Sequence, residues 1–184
     1  MQVSENTLLK SPLPGLQPLR KQLLESALKY YQEFVRQGGD DPELRAELAQ
    51  AYFRVGSITG EIGSKADALS AFQRARDLYE ALARAHPHNA SLRGDLARTY
   101  RAIGRLEATT GRFAEASASL RQAIALGEEL VEKNPDVPEF QSDLAWSYNN
   151  LGVLQLRNGK SAAGRRSYEQ AITTWKKPSP PGSA

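Results

Sequence analysis

Asp143-Leu-Ala-Trp-Ser-Tyr-Asn-Asn-Leu-Gly152 has two counterparts in this chain. They are Asp95-Leu-Ala-Arg-Thr-Tyr-Arg-Ala-Ile-Gly104 and Glu47-Leu-Ala-Gln-Ala-Tyr-Phe-Arg-Val-Gly56, each offset by 48 residues. A fixed period of this length marks stacked supersecondary units, each too small to bury its own apolar face. The register extends outward from the block. Gly63, Gly111 and Gly159 coincide, as do Ala75, Ala123 and Ala171, and Phe72, Leu120 and Tyr168. One step back it meets Gly15, Leu24, Ala27, Tyr30 and Phe34, so the chain opens with the second half of a repeat and carries three whole ones.

Within each unit the apolar residues recur at spacings of three and four, which puts them on one face of a helix. Leu44, Leu48, Tyr52, Val55 and Ile58 form the first such stripe; Leu92, Leu96, Tyr100, Ile103 and Leu106 the second; Phe140, Leu144, Tyr148, Leu151 and Leu154 the third. Asp41-Pro42 and Asn89 read as helix starts, Val137-Pro138 holds that position in the third unit with Asp136 one residue early as a candidate cap, and Gly60 to Gly63 reads as the break between the first pair. Lys65 to Ala85 is the returning helix. Small residues stand where paired helices must approach: Gly56, Gly104 and Gly152 on the first helices, Ala68, Ala116 and Gly164 on the second. No segment alternates with the period of two that a strand requires. The fold class expected is all-α, an α-α superhelix of about seven antiparallel helices.

The expected organisation is an irregular lead-in over 1–16, an array over 17–177 and a disordered tail over 178–184. Within the array a half repeat covers 17–37, and full repeats cover 41–88, 89–136 and 137–177. Pro178 falls where Leu82 and Leu130 stand earlier, so the last unit is clipped. Trp175 occupies the place of Tyr79 and Gly127, where a next repeat would dock. It is expected to be partly exposed, or covered by the Pro-rich tail or a second molecule; the competing expectation packs it on its own unit's first helix.

Composition excludes several functions. There are no cysteines, which removes disulfides, thiolate metal sites and thiol catalysis. Lys plus Arg is 24 against 21 for Asp plus Glu, a net charge of +3, and acids are interleaved with bases through the central repeats. That layout argues against nucleic acid as a partner. No apolar run approaches a membrane span and no signal pattern opens the chain, so the expected location is cytoplasmic, with no membrane contact. Gly159-Lys160-Ser161 ends like a phosphate-binding loop, but the first glycine of that motif would fall at Leu154 and no strand precedes it. His86 and His88 flank Pro87 without further ligands, and Glu128, Glu129 and Glu132 read as solvated helix charges. No catalytic set has positional logic; no enzyme activity, metal or cofactor is expected.

Tyr148, Leu151-Gly152, Gly159, Gly164, Tyr168 and Ala171 carry the tetratricopeptide pattern with its spacing, as do Tyr100, Ile103-Gly104, Gly111, Ala116, Leu120 and Ala123, and Tyr52, Val55-Gly56, Gly63, Ala68, Phe72 and Ala75. The chain thus resembles that family over about 130 residues, with each helix longer than in the usual unit of about 34 residues. A narrower resemblance, carried by Leu8-Leu9-Lys10-Ser-Pro-Leu-Pro-Gly-Leu and Leu19-Arg20-Lys21-Gln-Leu-Leu, is to the repeat region that follows the kinase domain in planctomycete-type serine/threonine kinases. The kinase motifs themselves are missing from this sequence.

The resemblance implies a binding role for protein or peptide, with the first helix of each unit lining a concave face. It places Gln50, Phe53 and Ser57, then Arg98, Arg101 and Arg105, then Trp146, Asn149 and Val153 there. The chaperone-binding carboxylate clamp of some members is not supported, because Phe53, Ser57, Ala102, Trp146 and Asn150 hold its places. Arg98, Arg101 and Arg105 lie at i, i+3 and i+7 with no acid at i±4 of Arg98 or Arg101. Like charges so placed disfavour the isolated helix. Two readings follow. In one, an acidic or phosphorylated segment neutralises the stripe, with Phe53, Trp146 and Asn149 flanking it. In the other, the arginines are solvated or pair with acids on neighbouring helices. A separate alternative for the whole chain is a structural spacer, or a module that self-associates through its C-terminal helix, without a peptide ligand.

Overall fold

The computed structural model describes residues 41–62 and 64–176, together with scattered positions between 18 and 33 that are all helical. Six helices follow: α1 Pro42–Ile62, α2 Lys65–Ala85, α3 Ala90–Thr109, α4 Phe113–Lys133, α5 Pro138–Arg157 and α6 Ser161–Lys176. Among the described residues there is no strand. The expected lead-in, the tail and most of the first expected helix lie outside the described residues.

The helix starts follow local chemistry. The Asp41 carboxylate accepts from the Glu43 N–H at 3.0 Å, with Pro42 at the first helical position, where its missing N–H is harmless. Asn89 accepts from the Leu92 N–H at 3.2 Å. Asp136 plays no such part. The third start is Val137 followed by Pro138, as the sequence placed it, and it has no side-chain cap hydrogen bond. The expected break at Gly60 also shifts. Helix α1 runs through Gly60 to Ile62, because helical backbone accepts glycine at a penalty of only about 1 kcal/mol. The two later turns do need glycine: Gly111 and Gly159 have φ of +79° and +71°, the left-handed region that side chains avoid.

The chain divides into two compact units, Met1–Leu78 and Tyr79–Ala184, with the boundary inside α2. In the first, Leu48, Tyr52, Val55 and Ile58 of α1 bury against Ala71 and Ala75 of α2. Gly56 lets the Phe72 ring lie directly against the α1 backbone, where an added Cβ would stand 2.8 Å from the ring. Arg74 donates to the Tyr52 hydroxyl at 3.2 Å and lies over its ring at 5.6 Å.

In the second unit α3 pairs with α4, α5 pairs with α6, and α5 packs on both α4 and α3. Short turns make each pair antiparallel. Two hairpins stacked in this way are the arrangement of an α-α solenoid. The core joins Ala116, Leu120, Ile124 and Val131 of α4 to Leu144, Leu151 and Leu154 of α5.

A polar clasp repeats inside the hairpins. Ser119 donates to the buried Glu107 carboxylate at 2.8 Å, and Ser167 donates to Gln155 at 2.8 Å. Thr59 holds the same place in the first unit. Its buried hydroxyl has no partner among the described residues, because Ala71 stands where the later units have serine.

Candidate functional site: the α3–α5 face

Two stripes meet on the second unit. Arg98, Arg101 and Arg105 run along α3; Asp143, Trp146, Asn149 and Val153 run along α5 at spacings of three and four, which keep them on one face. Asp143 joins the stripes. One of its oxygens accepts from Arg101 at 2.7 Å, and the other faces the Arg98 guanidinium at 3.4 Å. Arg98 also lies 3.4 Å from Asp95, three residues back on its own helix. Of the two readings left open for the arginines, pairing with acids is therefore what Arg98 and Arg101 adopt.

The environments of the three arginines differ. Burial pushes the Arg101 guanidinium pKa down; Asp143 opposes that shift, while Arg98 and Arg105 add to it. The side chain is 21% exposed and its Nε has no partner among the described residues. Arg98 is about half exposed. Arg105 is exposed and forms no ion pair or hydrogen bond among the described residues. The stripe thus runs from a structural cation at the seam to one at its end that has no ion pair among the described residues.

Asp95 is held partly buried beside these charges. Burial raises its carboxyl pKa, Arg98 opposes the rise and Asp143 adds to it. A raised folded-state pKa means that the ionised carboxylate destabilises the fold, and that this penalty disappears as pH falls below the carboxylate range. Asp95→Asn is therefore expected to stabilise the protein at neutral pH, with the difference fading in acid. Paired urea titrations across the acid range check the sign; a variant less stable at neutral pH would mean that the Arg98 contact outweighs burial.

The remaining residues expected at the groove fall in two places. Phe53 belongs to the first unit, where it is half buried edge-on against Phe72, with ring centroids 5.3 Å apart at 61°. Trp146 lies edge-on against Trp175, with centroids 5.2 Å apart at 85°. Both indoles are close to half exposed, 45% and 47%. The two expectations for Trp175 are thus both met: it packs on its own unit's first helix and stays partly open. Asn149 is half buried on the α5 stripe.

Sequence reading did not single out Asp143, Glu107 or the tyrosine contacts. Tyr100 donates to Glu80, and Tyr148 donates to Glu128, the same contact one repeat on. Burial, then that hydrogen bond, raises the Tyr148 pKa, so the hydroxyl stays neutral except in strong alkali. The signal for these pairs was present in the period: Glu80 and Glu128 coincide, as do Tyr100 and Tyr148.

The stripes form an open surface. A cleft of about 580 Å³ lies elsewhere, lined by residues such as Phe113, Arg121, Leu154 and Lys160, and includes none of them. Among the described residues no three His, Cys, Asp or Glu side chains cluster as metal ligands, and no helix is long and apolar enough to cross a membrane.

Comparison with known proteins agrees with the hairpin geometry. The tetratricopeptide repeat family matches residues 96–136. No curated protein sequence matches the chain. Among solved structures, MamA is 17% identical with a TM-score of 0.43, the match covering 91% of this chain and 97% of that one. BtubC (BKLC) from P. vanneervenii is also 17% identical, with a TM-score of 0.38 and coverage of 92% and 79%. The family match begins at Leu96, inside α3, and ends just past α4, so it is most of one hairpin of the second unit that is similar to a tetratricopeptide repeat.

Proposed function

We propose that this chain is a protein-interaction scaffold that holds a peptide or protein segment against the α3–α5 face, as the docking or regulatory part of a cytoplasmic serine/threonine kinase signalling protein. The kinase association rests on the sequence resemblance alone. The binding reading rests on Arg105. It is an exposed cation with no partner among the described residues, one turn beyond the Arg101–Asp143 contact, and the half-exposed edge of Arg98 lies on the same stripe. A carboxylate or phosphate arriving there gains charge-assisted and partly bidentate hydrogen bonds. Asn149 offers an amide beside it, and Trp146 an apolar edge.

Fluorescence anisotropy with a panel of acidic and phosphoserine-bearing peptides tests this. Hydrogen bonds to charged groups contribute about 1.5–3 kcal/mol, so Arg105→Glu should weaken the best binder at least tenfold, and wild-type binding should weaken with salt. Salt-insensitive binding that survives Arg105→Glu would remove the stripe from the account. A spacer without a ligand would bind none of the panel.

A further inference from the structure

The cleft of about 580 Å³ between the N-terminal half of α4 and the α5–α6 turn falls in the size range of small-ligand pockets. Phe113 and Leu154 supply its apolar wall, and Arg121 of α4 and Lys160 of the turn supply two cations. Neither of those side chains forms an ion pair or hydrogen bond among the described residues. No carboxylate is among the side chains that line the cleft. A concave surface carrying one sign of charge concentrates the opposite ion.

The repeat register shows that this charge is particular to the cleft. One repeat earlier Arg112 stands in the place of Lys160, and it lies 3.7 Å from the Glu107 carboxylate. Here the place of Glu107 is taken by Gln155, that of Glu115 by Ala163, and Arg121 replaces the neutral Gln73. Both acids at this register are gone and a cation has been added. Folding does not require the first of these changes. Ser119 donates to Glu107 and Ser167 donates to Gln155, each at 2.8 Å, so a glutamate would accept from Ser167 equally well. What the glutamine alters is the charge.

We propose that this cleft binds a phosphate monoester carrying an apolar group, with the phosphate between Arg121 and Lys160 and the apolar group along Phe113 and Leu154. A monoester carries a charge of about −1.5 to −2 at neutral pH, which matches two cations, and its oxygens can accept from both at once. A lone carboxylate would neutralise only one. The cleft is much larger than a phosphate alone would fill, so the attached group is part of the assignment. It shares no residue with the α3–α5 face and stands independently of that reading.

NMR titration with phenyl phosphate, inorganic phosphate and phenol tests this. Phenyl phosphate is expected to bind saturably and about tenfold tighter than either of the others. Arg121→Gln and Gln155→Glu should each weaken it about tenfold, through a lost charge-assisted contact and a restored acid respectively. Gln155→Glu keeps the acceptor for Ser167, so circular dichroism should show it folded; Ala163→Glu returns the other acid and should weaken binding in the same way. Arg105→Glu should leave binding unchanged. A phosphotyrosine peptide carries the same phenyl phosphate group: tighter binding than the free probe assigns the ligand to a phosphorylated protein, and weaker binding assigns it to a small molecule. Absence of saturable phenyl phosphate binding overturns the proposal, as does inorganic phosphate binding equally well. Binding that survives Arg121→Gln, or survives return of the acids in folded protein, also overturns it. Loss of binding on Arg105→Glu would do the same, because the anion would then sit on the arginine stripe.

Discussion

Alanine at Gly104 is expected to lower the melting temperature, whereas alanine at Gly60 is expected to raise it. Both glycines lie inside helices, so both replacements gain roughly 0.5–1 kcal/mol of helix propensity. Space decides the sign. A Cβ at Gly60 meets only the Ala68 methyl at 3.5 Å, an ordinary contact. At Gly104 it would stand 2.7 Å from the Leu120 Cγ and 3.1 Å from the Ala116 carbonyl oxygen. Neither can yield cheaply: Cγ is the branch point of a fully buried side chain, and the carbonyl belongs to the opposing helix. Overpacking of this kind costs about 1–3 kcal/mol, which exceeds the propensity gain. The Gly104 variant should lose several degrees at about 2–4 °C per kcal/mol, and the Gly60 variant should gain a degree or more. Helical circular dichroism against temperature measures both. A Gly104→Ala protein as stable as the wild type would mean that α3 and α4 pack less closely than described.

That pair of glycines also marks how far the sequence could be read. Gly104 was legible because it shares its register with Gly56 and Gly152, and three small residues at one register in paired helices signal a close crossing. The same periodicity disclosed the apolar stripes and hence an all-helical stack. Gly60 has no glycine counterpart at Ala108 or Leu156, and its turn-forming reputation suggested a break that the helix does not make. Asp136 misled for a related reason: capping residues mark helix starts only on average, and Pro138 made a cap unnecessary.

The polar site was less legible because its contacts cross between helices. Bookkeeping at i±4 along α3 finds no acid for Arg101, while the acid that answers it lies 42 residues away on α5. Such a pair follows from stacking, which sets the first helix of one repeat beside the first helix of the next. The repeated contacts of Tyr100 with Glu80 and Tyr148 with Glu128 could have been found by asking which polar pairs recur at one register. The Trp146–Trp175 contact has no such precedent, since Arg98 and Gly127 hold those places one repeat earlier.

Asp143→Leu is expected to destabilise the second unit by about 2 kcal/mol, and adding Arg101→Met should recover most of that loss. The single change leaves Arg101 at the seam without the one close counter-charge it has among the described residues, where its Nε also has no partner. Stranding a buried charge is what makes such a substitution expensive, at about 1–3 kcal/mol for the unsatisfied group, and the one-fifth exposure of Arg101 keeps it below the range for full burial. Methionine in place of arginine removes the stranded charge and fills similar space, and apolar replacement of a whole buried pair is often close to neutral. Arg98 should contribute little to the loss, because its contact is longer and Asp95 remains beside it. Urea titration of the wild type, both single variants and the double variant gives the coupling directly, expected near 1–2 kcal/mol. A double variant no more stable than Asp143→Leu would show that Asp143 acts elsewhere in the fold. A fifth protein, the double variant with Arg105→Glu added, separates structure from recognition: if Arg105 is the residue that meets a partner's anion, the double variant still binds an acidic peptide and the fifth protein loses it.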